Sequence, residues 1–195
     1  MFRRFVRFVD PSPSSHFLGT STLLLGILLP TALTTLPTRA VELGQGQTFF
    51  ESAPRLIRSA NSNRGSGSAI YQFTIVVPEN AGEPLQAVTI SQKKNVDTIK
   101  FDISKSRAFI GDSFAGGPSV SLASIGGGNP SDSNEVTVAF DKPIEPGNTV
   151  TVSLRALENP RFGGIYQFGV TAFSPGENSP GLYLGSGRLH FERAN

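Results

Sequence analysis

The chain has 195 residues with 17 Lys+Arg, 15 Asp+Glu and no cysteine, which excludes disulfides, iron–sulfur centres, thiolate zinc sites and cysteine nucleophiles together. The excess of base belongs to the first forty residues: without Arg3, Arg4, Arg7, Arg39 and Asp10, 13 bases face 14 acids, a net of −1. That balance does not supply the positive surface on which nucleic-acid binding depends, so no nucleic-acid partner is expected.

The first forty residues read as an export leader. Arg3, Arg4 and Arg7 form a basic start, and Leu23 to Leu29 (LLLGILL) an apolar centre that extends loosely from Phe17 to Leu33. Pro30 and Pro37 break it, and Thr38-Arg39-Ala40 places small residues before a cut predicted between Ala40 and Val41. A membrane span needs roughly 20 continuous apolar residues, and this stretch is interrupted by Gly19, Thr20, Ser21, Thr22 and Pro30. Membrane attachment is therefore expected only if the leader stays uncleaved. The expected destination is the periplasm or the extracellular space, with a thylakoid lumen as a further possibility.

Residues 41–195 are expected to form one domain, long enough to bury a core without disulfides. Their apolar period is two. Tyr71, Phe73, Ile75 and Val77 alternate with Gln72 and Thr74; Ile99, Phe101 and Ile103 with Lys100 and Asp102; Val136, Val138 and Phe140 with Thr137 and Asp141. Further on, Val150, Val152 and Leu154, then Tyr166, Phe168 and Val170, then Leu189 and Phe191 repeat the pattern. Each run offers one face to a core and the other to water. Weaker strands are expected at 86–91, 107–110 and 119–124.

Breakers rich in Pro, Gly and Asn separate these runs at 78–84, 126–130, 142–148 and 174–180. Residues 61–68 (NSNRGSGS) read as a flexible loop, and only 53–60 leaves room for a helical turn. The pattern predicts an all-β fold, an antiparallel two-sheet sandwich. An immunoglobulin-like arrangement leads, with a jelly roll or small barrel as the other solutions.

Residues 71–86 (YQFTIVVPENAGEPLQ) with Val88-Thr89-Ile90, then 159–173 (NPRFGGIYQFGVTAF) and 182–191 (LYLGSGRLHF), resemble a family of secreted cyanobacterial proteins, domain of unknown function 2808. The resemblance runs from about Glu42 to Arg193. It implies an exported β-rich domain and carries over no catalytic or binding residue. A looser likeness joins residues 136–147, ending DKPIEPG, to copper-resistance periplasmic sandwiches, which bind copper through histidines.

The candidate chemistry is thin. His190 is the one histidine after the leader and shares the polar face of its strand with Arg188 and Glu192. A stable metal site takes three or four donors, so neither a metal nor any other cofactor is expected. Gly111-Asp112-Ser113-Phe114-Ala115 approaches a nucleophile elbow, but it leads into Gly116-Gly117-Pro118 rather than into a helix. The acids Glu79 with Glu83, and Asp132 with Glu135, sit on loops, where turn and solubility roles suffice. Asp132, Asn134 and Glu135 could contribute oxygens to a weak calcium site, although the full loop spacing is missing.

One patch stands out. Asn159-Pro160-Arg161-Phe162-Gly163-Gly164 puts an Arg and a Phe at the tip of an expected hairpin. Loops on a rigid sandwich are where binding residues sit, and Arg beside an aromatic is a frequent contact pair. Asn159, Arg161 and Phe162 are thus the candidate partner-binding residues. The expected function is a non-enzymatic binding or structural module of the cell envelope, with an envelope protein or polysaccharide as partner. A periplasmic metal-handling protein and an envelope hydrolase are the alternatives.

Overall fold

The computed structural model describes residues 47–65, 67–126 and 134–193. The leader and the expected cut after Ala40 lie outside the described residues. Ten strands make up the domain: β1 Arg55–Asn61, β2 Ile70–Val76, β3 Leu85–Gln92, β4 Phe101–Ile110, β5 Ser119–Val120, β6 Leu122–Gly126, β7 Glu135–Ile144, β8 Thr149–Ala156, β9 Gly164–Phe173 and β10 Leu182–Phe191. They pair, always antiparallel, into one sheet of order β1-β2-β8-β4-β5 and a second of order β10-β9-β3-β7-β6. No helix occurs among the described residues.

The two-residue alternation becomes the core directly. Tyr71, Phe73 and Ile75 of β2, Val150, Val152 and Leu154 of β8, Val88 and Ile90 of β3, and Tyr166, Phe168 and Val170 of β9 are all buried between the sheets. The neighbours are those of an immunoglobulin sandwich. β1, β2, β8 and β4 stand as its A, B, E and D strands, and β3, β9 and β10 as its C, F and G. Tyr166 adds a second mark of that fold: near the start of β9 its hydroxyl donates to the Phe162 carbonyl four residues upstream, at 3.0 Å. This is the tyrosine corner of such sandwiches.

The sandwich is closed along both seams. On one side β5 and β6 are a single path that changes sheets at Ser121, whose carbonyl accepts from Asp141 N at 2.9 Å. On the other, β1 lies against β10, where a Cβ at Gly187 would stand 2.6 Å from Ser59 Cβ. Only a residue with no side chain permits that approach.

Three expectations change. Residues 53–60 hold no helical turn; from Arg55 onward they are β1, registered against β2 from Arg55↔Val76 to Asn61↔Tyr71. A stretch this short gains little from helix formation alone, whereas the edge of β2 offers partners for its backbone. Gln72 and Thr74 do not face water. The 111–118 loop folds over the outer face of the first sheet, and Gln72 donates to Phe114 O at 3.0 Å while Thr151 donates to Gly111 O at 2.7 Å. The run through Ile103 does not keep its alternation either, because the β4–β8 register shifts between Asp102 and Arg107 and leaves Ile103 exposed. Ser106 repairs the gap, donating to Asp102 O at 2.8 Å and accepting from Arg155 N at 3.0 Å.

Candidate functional site

The β8–β9 connection carries Asn159, Arg161 and Phe162, and it is not a hairpin: β8 and β9 belong to different sheets, so the loop crosses one pole of the sandwich. Segments 62–69 and 93–100 end at the same pole, as the pairs Ile70↔Arg155 and Phe101↔Ala156 require.

Asn159 is buried and ties this pole together. Its Oδ1 accepts from the Tyr71 hydroxyl at 2.8 Å. Its Nδ2 donates to the carbonyls of Asn63 at 3.0 Å and Gly65 at 2.7 Å, and its backbone N–H to Gly67 O at 2.8 Å. The 61–68 loop, glycine- and serine-rich in sequence, is thereby held from the opposite sheet connection, with Ser68 Oγ donating to Ala156 O at 2.6 Å. Burial raises the pKa of the Tyr71 hydroxyl, with the Tyr166 hydroxyl adding to the effect. At Tyr166 burial again comes first and the Asp97 carboxylate second.

Asp97 does for the loop tip what Asn159 does for its root. Its Oδ2 accepts from Arg161 N at 2.9 Å and Phe162 N at 3.4 Å. Gln92 in turn fixes the 93–100 segment, donating to Asp97 O at 2.6 Å and accepting from Ile99 N at 2.9 Å. Leu157 N donates to Lys100 O at 2.9 Å. Between the two segments lies a cleft of about 370 Å³ lined in part by Asp97, Lys100, Glu158 and Arg161.

Around this braced loop four apolar side chains reach solvent: Val96, Leu157, Phe162 and Ile165 are each more than half exposed. Arg161 is exposed beside them. The sequence singles out Arg161 and Phe162 as candidates but not Val96, Leu157 and Ile165, which lie outside the alternating runs or on the polar register of one. Nor does it single out Asp97, whose role rests on a contact between segments more than sixty residues apart.

The other candidates are dispersed. Ser113 lies in the β4–β5 loop over the outer face of the first sheet, while His190 pairs with Ile165 near the Asn159 pole on the second sheet. His190 is exposed, as is Glu79. Asp132 lies outside the described residues, and Glu135 opens β7 opposite Ser91. Among the described residues no three His, Asp or Glu side chains gather as a metal-binding group.

A family model described as "Protein of unknown function (DUF2808)" matches residues 47–191. The chain belongs to this family. The DUF2808 match takes in all ten strands and the whole of the Asn159 pole. No curated protein matches the sequence.

Among solved structures, the DUF2808 chain is similar to a C-terminal fragment of the major pilin GBS80 of Streptococcus agalactiae. The identity is 10%, the TM-score 0.47, and the match covers 71% of this chain and 56% of the fragment. It is also similar to ACE19, the collagen-binding subdomain of an Enterococcus faecalis surface protein, at 9% identity and TM-score 0.41, over 76% and 99% of the two chains. An uncharacterised Nocardia farcinica protein with an immunoglobulin-like fold matches at 12% identity and TM-score 0.39, over 68% and 96%.

Proposed function

We propose that this domain is a non-enzymatic binding module of the cell envelope, exported behind its leader, which takes a protein partner at the Asn159 pole. The observation that carries the reading is the exposed group Val96, Leu157, Phe162 and Ile165 on a loop pair held by buried Asn159 and by Asp97. Solvent-exposed apolar side chains gathered at one end of a domain mark interaction surfaces more often than scattered ones do. The bracing matters energetically, because a loop already fixed loses little conformational freedom on association.

In this reading Phe162 and Arg161 touch the partner and Asn159 positions the loop beneath them. Lys100 and Asp97 of the 93–100 segment form the rim. Such a division into apolar centre and polar rim is usual for non-obligate interfaces.

The test is retention of envelope components by the immobilised full chain and by its Phe162→Ser, Leu157→Ser double variant. Both side chains are exposed, so the variant keeps its fold and its melting temperature. Loss of a specific envelope protein from the variant alone supports the reading. Equal retention by both proteins refutes it.

A further inference from the structure

The outer face of the second sheet carries a groove that shares Ile165 with the pole and otherwise lies apart from it. It has a volume of about 460 Å³ and is lined by Lys93, Lys94, Asn95, Ile165, Gln167 and Arg188. Arg188 pairs across β10–β9 with Gln167, whose carbonyl accepts from Lys93 N at 2.8 Å. The two outer cations thus flank a central amide. The lining includes three cations and no carboxylate. Among the described residues none of the three forms an ion pair; the one salt bridge there joins Lys105 to Asp102.

An aromatic ring borders the same groove. Tyr183 is 53% exposed, and Lys93 Nζ stands 5.2 Å from its ring centroid. The ring lies above Gly169, where a Cβ would come 3.1 Å from Tyr183 Cε2 and 3.2 Å from Lys93 Cε. Its hydroxyl is paired with Ser186 Oγ at 2.6 Å. The floor beside it is short and polar: Ser186, Gly169 and Ser91 face one another in one row, Thr171 and Thr89 in the next.

We propose that this face binds an acidic polysaccharide, a chain of pyranose rings bearing uronate carboxylates. Lys93, Lys94 and Arg188 meet the carboxylates, Tyr183 stacks on the apolar face of a sugar ring, and Gln167 bonds its hydroxyls. A uronate chain carries roughly one charge per sugar, which suits three cations spread over a short groove. Double-stranded DNA carries one charge per about 1.7 Å of axis, and a chain with 13 bases against 14 acids after its leader meets that density with no broad positive field. Charges left unpaired at an exposed groove cost little in the free protein and are available to a ligand.

The experiment is titration of the purified full chain with polygalacturonate, neutral dextran and a DNA duplex at low and at high salt. Expected is binding to polygalacturonate that weakens as salt rises, since screening shortens the reach of exposed charges, with no binding to dextran. Lys93→Glu with Arg188→Glu lowers the affinity at least tenfold, Tyr183→Ala lowers it several-fold, and Tyr183→Phe restores it. Phe162→Ser leaves it unchanged, so the outcome is separate from that at the pole. Equal binding of dextran, tighter binding of DNA, an unaffected charge-reversal variant, or no binding of polygalacturonate at low salt overturns the proposal.

Discussion

Phe73 of β2 and Phe168 of β9 meet edge to face across the sandwich, ring centroids 5.6 Å apart at 61°. Phe168 follows the corner tyrosine Tyr166 by two residues, which is where antibody domains place the second cysteine of the disulfide linking their sheets. In this chain without cysteine an aromatic pair occupies that junction. Tyr71 and Phe101 extend it, with Tyr71 5.8 Å from Phe168 and 5.5 Å from Phe101. Burial of rings here does what a covalent link does elsewhere, through packing in the native state rather than restriction of the unfolded one.

Phe168→Ala is therefore expected to cost about 3–5 kcal/mol, the range for truncating a buried aromatic. A double-mutant cycle with Phe73→Leu isolates the ring contact, worth about 0.5–1.5 kcal/mol beyond area burial. Urea denaturation of the four proteins gives both numbers.

Asn159→Ala removes the acceptor of the buried Tyr71 hydroxyl and the side-chain donor to Gly65 O. A buried group left unmet costs about 1–3 kcal/mol. Asn159→Asp is expected to be worse, because a carboxylate would face two carbonyl oxygens in place of the amide that donates to them. Hydrogen exchange at residues 62–69 should quicken in both variants, and thermal melting ranks them.

Gly187→Ala pushes a methyl group into Ser59, whose Cβ and Oγ lie 2.6 and 2.8 Å from the new atom. The β1–β10 seam must open by several tenths of an ångström. A loss of about 1–3 kcal/mol is expected for such overpacking, and Ser59→Gly in the same chain should recover most of it. Recovery by a smaller partner separates this clash from any general cost of alanine in a strand.

Alkali should unfold the domain. Tyr71 and Tyr166 have hydroxyl pKa values raised in the fold, first by burial. Above the unfolded tyrosine value of about 10 the unfolded chain releases these protons while the native one holds them. Stability is thus fully present below that pH and falls as pH rises beyond it. Denaturant midpoints measured from neutral to strongly alkaline pH should decline most steeply there, and less so in Tyr71→Phe.

Much of the fold is legible in residue order because alternation is a local property. Tyr71, Phe73, Ile75, Val150, Val152 and Leu154 declare their face by spacing alone, and all are buried. What is illegible depends on contacts distant in sequence. Gln72 and Thr74 look solvated until a loop forty residues away covers them. The 61–68 loop looks loose because composition does not show that Asn159 will hold it. Asn159 itself reads as a polar loop residue, and only its place beneath Tyr71 reveals an anchor. At the candidate site the Arg161-Phe162 pair is visible, whereas Asp97 and the groove beside Tyr183 emerge only when β3, β9 and β10 are side by side.

The central claim is that the Asn159 pole meets a protein partner. Site-specific photocross-linking tests it most directly, with a photoreactive phenylalanine placed at Phe162 or, in the β7–β8 turn at the opposite pole, at Glu145, in cells that make the protein. Both side chains are exposed. A discrete cross-linked product is expected from position 162 and none from position 145; products from 145 alone, or the same products from both, would contradict the claim.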